Sequence, residues 1–310
     1  MSVQTPNQSQ HTVKGVVVGN NLTILLFGPT GSGKTAQIGE LAEYYYKNGH
    51  KITRLYSADR GGWETIKPYV ELGIIEAIPM FGEPWNWIDH AVKGDKLQNG
   101  KWVPGIDANV AMYAYEGMTS MADSVMSWMA EASARGVNIG GGGSFSFNVK
   151  GDGDKQVKIG SNNMAHYSVA QQQVYEKSTQ SQFLPGTILW TAGDRRGEDD
   201  ANGGVIGPQI AGKAMTGEAP RWFKYTWRLG VEVMPGSPAS HVLYTDRHME
   251  MNGKLAQGIA NSRVPLSGTN IEIPDKIVPA SLVSILELLD KRQTSAKDEI
   301  AKRLGLNNNK

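Results

Sequence analysis

The chain has 310 residues, with 31 Lys and Arg against 30 Asp and Glu, and no cysteine. This excludes disulfides, thiolate catalysis and Cys-based zinc sites. A net charge of +1 gives no whole-molecule field for nucleic acid, so any such binding needs a local patch. No apolar run approaches the roughly 20 residues that span a membrane. The opening MSVQTPNQSQHTVKG lacks an apolar signal core, so a cytoplasmic location is the expectation.

In chain order, residues 1–12 read as a flexible polar arm. Val13 to Val18 and Leu22 to Phe27 are strand candidates, and the Gly19-Asn20-Asn21 step between them suits a hairpin turn. The second run ends in Gly28-Pro29-Thr30-Gly31-Ser32-Gly33-Lys34-Thr35, which fills every fixed position of G-x-x-x-x-G-K-[ST]. A helical pattern follows, with Ile38, Leu41 and Tyr45 on one face. Strand before and helix after is the context this phosphate loop requires. Further on, Ile52–Tyr56 is a strand ending at Ser57-Ala-Asp59-Arg60-Gly-Gly62. Trp63–Glu71 is a helix, Ile74–Pro79 a strand, and Trp85–Val92 a helix. Gly94–Gly105 is a loop or short hairpin. Asn109–Tyr115 is a near-continuous apolar run ending at Glu116-Gly117, the pattern of a buried parallel strand. Met118–Arg135 is a helix with Met121, Val125, Trp128 and Met129 on one face.

Residues 136–163 break the alternation. They are Gly-rich, without helical period, and contain two alternating pieces, 144–149 and 156–159. Met164–Phe183 is helical, and Thr187–Thr191 is a buried strand leading into Ala192-Gly-Asp194-Arg195-Arg196. After an irregular stretch, 197–213, come strands at Trp227–Val233 and His241–Asp246. A polar segment, 248–263, precedes helices at 279–289 and 294–304. The fold class expected is α/β: a mostly parallel sheet flanked by helices, carrying Gly-rich loop insertions. One domain over 13–270 is expected, with a helical appendage and tail over 271–310.

The chemistry concentrates at strand ends. Glycines in the loop let backbone N–H groups wrap phosphate oxygens, and the following helix N-terminus favours anions. Lys34 is placed to reach the β/γ-phosphates and Thr35 to hold Mg²⁺. Hydrolysis needs carboxylates at the carboxyl ends of neighbouring strands. Asp59, Glu116 and Asp194 occupy such ends. Glu116, after the most apolar strand, is the candidate second metal-site residue, or else a cap. Asp59 is a candidate base, or else a turn residue. Arg195 and Arg196 are candidates for sensing the γ-phosphate, acting on a neighbouring subunit or binding nucleic-acid backbone. Phe145 and Phe147, with Lys150, Lys155 and Lys158, suit single-stranded nucleic acid by stacking and phosphate contact, or else fold back on the body. No H-E-x-x-H or G-x-S-x-G pattern occurs.

Taken together, Gly28–Thr35, Ser57–Gly62, the Tyr113–Gly117 strand end, Thr187–Asp194, Gly207–Lys213 and Lys254–Arg263 resemble the RecA-like P-loop ATPase core. The similarity is greatest to phage-encoded ATPases related to RecA that serve in single-strand annealing and recombination. The resemblance covers about residues 20–265. It implies ATP with Mg²⁺, a ring or filament of identical subunits, and single-stranded DNA as partner. It implies that Asp59 activates water, that Glu116 is the Walker B acid, and that 136–163 and 195–213 are DNA loops. Lys254 or Arg263 would reach a neighbour's nucleotide, and Lys213 belongs to the second loop. The sequence departs from that pattern in carrying Arg60 before Gly-Gly, Glu at 116 and a long first loop. A different class of reading is a structural or assembly protein, virion-associated, that binds nucleotide as a clamp and hydrolyses it slowly or not at all.

Overall fold

A computed structural model describes residues 11–13, 16–18, 22–59, 61–80, 87–135, 146–150, 156–160, 164–196, 205–210, 217–233, 236, 238–245, 257–258, 261–262 and 273–304. The strands are β1 (His11–Val13), β2 (Val16–Val18), β3 (Leu22–Phe27), β4 (Ile52–Ser57), β5 (Ile75–Pro79), β6 (Lys96–Gln98), β7 (Lys101–Val103), β8 (Val110–Glu116), β9 (Ser146–Lys150), β10 (Gln156–Gly160), β11 (Thr187–Arg196), β12 (Val205–Gln209), β13 (Tyr225–Glu232), β14 (Ser240–Tyr244), β15 (Gln257–Gly258), β16 (Asn261–Ser262) and β17 (Lys276–Ile277). The helices are α1 (Lys34–Gly49), α2 (Trp63–Glu71), α3 (Ile88–Ala91), α4 (Met118–Ala134), α5 (Met164–Ser181) and α6 (Leu282–Arg303).

The main sheet runs β17-β14-β13-β3-β11-β8-β4-β5. From β13 to β5 every neighbouring pair is parallel. The β13–β14 and β14–β17 pairs are antiparallel. This is the expected α/β architecture, a mostly parallel sheet with an antiparallel margin. Burial on both faces explains the unbroken apolar runs. Along β3, Ile24 and Leu26 join α1, α2 and α6 in one core. Leu25 and Phe27 join α3, α4 and α5 in the other. Among the described residues no helix is long and apolar enough to cross a membrane.

Register aligns three aromatics across the second core. Tyr56 lies beside Tyr115, and Tyr115 beside Trp190. Their rings stack at 5.4 and 4.4 Å between centroids. Each polar tip is satisfied: Tyr56 donates to the Asp95 carbonyl, Tyr115 to the Ala91 carbonyl at 2.9 Å, and Trp190 to Ser181 Oγ at 2.9 Å. Burial with such partners lets bulky polar aromatics serve as core. It also drives the Tyr115 phenol well above its ordinary pKa.

Several elements differ from expectation. The run 13–18 does not pair with β3; β1 and β2 pair with each other, because β11 and β13 take both edges of β3. The helix at 85–92 spans only Ile88–Ala91 among described residues. Gly94–Gly105, by contrast, is the expected short hairpin, β6–β7, turned at Asn99-Gly100, where both residues have positive φ. That pair is the favoured tight-hairpin sequence. Trp128, expected inward, is 40% exposed, while Met121, Val125 and Met129 are buried. The strand from Thr187 continues to Arg196, its last four residues pairing with β12. The two C-terminal helical runs form one helix, and its first half is core: Leu282, Ile285, Leu286 and Leu289 are buried. Gln37 of α1 ties it down, its Oε1 accepting the Leu282 N–H at 2.6 Å.

Candidate functional site: a phosphate-loop cleft

The cleft sits at the carboxyl ends of β3, β4, β8 and β11, where an open parallel sheet places ligands. Its volume is about 600 Å³, and Gly31, Lys34, Thr35, Asp59, Glu116 and His241 are among its lining residues. The loop between β3 and α1 turns through Gly31 (φ 79°) and Gly33 (φ 95°). Only glycine takes such angles without strain. No side chain caps α1, and its first turn holds no acidic residue. The N–H groups that a helix leaves unpaired there therefore remain available to an anion. Gly28 lies against β13, where an added Cβ would stand 2.2 Å from the Leu229 carbonyl oxygen.

Opposite the loop, β8 ends in Glu116, which is 2% exposed. Thr35 donates its hydroxyl to Glu116 Oε1. Ser57 Oγ lies 2.8 Å from Glu116 Oε2. Burial pushes the Glu116 carboxyl above its ordinary pKa, while the Thr35 and Ser57 hydrogen bonds favour the ionised form and oppose that shift. A buried carboxylate touching the loop threonine is the pair that can hold Mg²⁺ together with phosphate oxygens. Among the described residues no group of three or more His, Cys, Asp or Glu gathers as a self-sufficient metal site. One carboxylate, a hydroxyl and the nucleotide's own oxygens are a donor set that suits Mg²⁺.

Gly62 closes this corner. A Cβ there would meet Glu116 Oε1 and Thr35 Oγ1, both at 2.8 Å. Gly62→Ala is expected to push the pair apart and lower Mg²⁺-dependent turnover about tenfold, since a displacement near 1 Å has large kinetic effects. Titrating rate against Mg²⁺ checks this; an unchanged Mg²⁺ requirement would show that the corner tolerates the methyl.

Asp59 is exposed and lines the cleft, its Oδ1 accepting the Gly61 N–H at 2.9 Å. It is thus both a turn residue and a carboxylate facing the site. Lys34 donates to the carbonyls of Gly28 and Pro29, at 2.8 and 2.9 Å. Burial lowers its pKa, and Asp194, Asp59 and Glu116 counteract that in descending order. Asp194 reaches Lys34 only through its field. Its carboxylate is bound by Arg228 of β13 at 3.0 Å, both side chains being mostly buried. Arg228 lies level with Phe27, and so does Ala192, two residues before Asp194. The pair therefore closes over the end of β3.

No protein-family model matches the chain, and no curated protein sequence matches it. Solved structures give partial likenesses. The flagellar accessory protein FlaH from Methanocaldococcus jannaschii is 10% identical, over 72% of this chain and 76% of its own, with a TM-score of 0.40. The KaiC-like protein PH0186 from Pyrococcus horikoshii OT3 is also 10% identical, over 72% of this chain and 77% of its own, with a TM-score of 0.38.

Of the remaining predicted residues, those described lie in two places. Arg195 and Arg196 lie in β11, opposite Gly207 and Ile206 of β12, rather than in a loop. Phe147, Lys150 and Lys158 lie in the β9–β10 hairpin, which rests against α4; Phe147 is level with Ile159 and Lys150 with Gln156. Phe145, Lys155, Lys213, Lys254 and Arg263 lie outside the described residues, as does Arg60.

Other contributors carry no motif. Thr191 Oγ1 accepts the Gly117 N–H at 3.0 Å, and Thr119 Oγ1 accepts the Gly193 N–H at 3.0 Å. These two threonines fix the turn after Glu116 against β11. Arg228 has a faint signal, a charge inside an apolar strand. His241 has none; only the β13–β14 pairing brings it to the loop.

Proposed function

We propose that this chain binds a nucleoside triphosphate with Mg²⁺ and hydrolyses it, as an oligomeric RecA-like ATPase. The contact of the Thr35 hydroxyl with Glu116, 81 residues away in sequence and at the mouth of the phosphate loop, carries the reading. The strand order supports it too, since β11 alone separates the phosphate-loop strand from the Glu116 strand, and residues at the ends of all three line one cleft. Lys34 and the loop N–H groups bind the phosphates, Thr35 and Glu116 hold the metal, and Asp59 orients the attacking water. Bound Mg²⁺ neutralises charge developing on the phosphates. ATP rather than GTP, assembly into a ring or filament, and action on single-stranded DNA in phage recombination or replication rest on the resemblance of the sequence to RecA-like ATPases. The Gly-rich segments 136–163 and 195–213, with their lysines, arginines and phenylalanines, are the part of that resemblance that bears on DNA.

The second reading is a nucleotide-binding clamp of an assembly, turning over slowly or not at all. The engagement of Asp59 Oδ1 by the Gly61 N–H favours it, because that bond holds the candidate base in a turn. ATP hydrolysis measured with Mg²⁺, with EDTA, and with added single-stranded DNA separates the two, Lys34→Ala serving as the blank. The ATPase reading expects Mg²⁺-dependent steady turnover that rises with DNA. Binding of ATP without turnover would give the clamp. Turnover indifferent to DNA, with no DNA retained at low salt, would remove the DNA role and leave the ATPase.

A further inference from the structure

Resting on the phosphate-loop reading, we infer that His241 is the residue that receives the nucleoside half of the ligand. The sheet order sets the direction in which a triphosphate lies. Glu116 and Asp59 stand at the ends of β8 and β4, on one side of β3; β13 and β14 stand on the other. The terminal phosphate belongs beside the metal-holding and water-facing carboxylates. The loop wraps the middle of the chain of phosphates. The nucleoside must therefore leave towards β13 and β14, and the ring on that side of the cleft is His241.

The ring is held for such a task. Its Nδ1 lies 3.0 Å from the Ser32 carbonyl oxygen, inside the phosphate loop itself. A carbonyl only accepts, so Nδ1 carries the proton, and in the neutral imidazole Nε2 is left as an acceptor. The ring edge lies in ordinary contact range of Gly33, with Nδ1 3.5 Å and Cε1 3.9 Å from where a Cβ would stand. Its backbone is fixed as well. The His241 carbonyl accepts the Ala280 N–H at 2.9 Å, and Gln37 of α1 donates to the Ala280 carbonyl at 3.3 Å. An imidazole pinned at both ends presents a flat face and an acceptor nitrogen to whatever lies beyond the phosphates. That chemistry fits a ribose hydroxyl or a base face and offers nothing particular to the outer phosphates.

The test compares Mg²⁺–ATP with Mg²⁺–tripolyphosphate, which has the phosphates and no nucleoside. His241→Ala is expected to weaken ATP binding about tenfold, the scale of one good stacking contact. Tripolyphosphate affinity should stay within about twofold. His241→Asn keeps a side-chain N–H for the Ser32 carbonyl and removes the ring, so it should lose the same ATP affinity. Equal loss for both ligands would overturn the inference and make His241 a prop of the loop. Wild-type ATP affinity in either variant would overturn it too. A wild-type protein that binds ATP but not tripolyphosphate leaves the phosphate-loop reading standing and supports a dominant nucleoside contact. One that binds neither overturns the phosphate-loop reading and this inference with it.

Discussion

Glu116→Gln will separate stability from turnover: Mg²⁺-dependent hydrolysis falls about a hundredfold or more, while the folded protein at pH 7.5 becomes no less stable than wild type and is expected to gain. The loss follows from charge. An amide oxygen donates only weakly to a metal and does not neutralise its charge, so the proposed Mg²⁺ corner at Thr35 and Glu116 is lost. The gain follows from burial. Glu116 is 2% exposed, and burial is the largest influence on its carboxyl, raising its pKa from the ordinary 4.5. A group whose folded pKa lies above its unfolded value binds more protons in the folded state. Its contribution to stability is therefore full below pH 4.5 and is lost as pH rises through the raised folded value. Above that value the wild type carries the cost of a buried anion, which glutamine avoids while still meeting both Thr35 and Ser57. Thermal melts of both proteins from pH 5 to pH 8 check the sign. The advantage of the variant should shrink towards pH 5. A constant deficit of the variant at every pH would show that the two hydroxyl contacts outweigh burial.

The residues that were readable in the sequence are those whose chemistry is local. Gly28–Thr35 states its own conformation, because glycines at 31 and 33 and an uncapped helix start leave few alternatives. The β8 run ending in Glu116 was readable because a strand covered on both faces must be apolar throughout, so the first charge marks its end. Strand pairing was harder. Val13–Val18 looked like a partner for β3, but the edges of β3 are decided by Thr187–Ala192 and Tyr225–Arg228, far along the chain. The same distance hid His241 and Arg228. His241 reaches the cleft through the β13–β14 pairing and Arg228 reaches Asp194 from β13, and no period or motif near either announces the contact. Asp194 was expected just past a strand end but lies inside β11, and its partner Arg228 came from that unseen pairing. The pairing makes this candidate acid one half of an ion pair over the end of β3.

Arg54→Met is expected to destabilise the fold by about 3 kcal/mol, with little change in nucleotide affinity. Arg54 points from β4 into the core at 1% exposure. Its Nε donates to Glu76 at 2.7 Å, and its Nη1 donates to the carbonyls of Gly94, at 2.7 Å, and Gly105. Its guanidinium lies 5.9 Å from the Tyr113 ring centroid. One planar fork thus pins both ends of the segment that carries the β6–β7 hairpin. Methionine fills the stem volume but donates nothing, and two carbonyls lose their partner at about 1–3 kcal/mol each. Glu76 contributes less to the loss, because its side chain is 35% exposed and turns to water. Lysine keeps the charge without the fork, so Arg54→Lys should recover part of the loss and not all of it. The site stays intact because Arg54 sits level with Tyr113 and Glu76, three residues before Ser57, away from the strand ends that line the cleft. Urea unfolding midpoints beside ATP affinity measure both halves. A variant as stable as wild type would mean that the hairpin holds without this arginine. A matching fall in ATP affinity would mean that the hairpin supports the cleft.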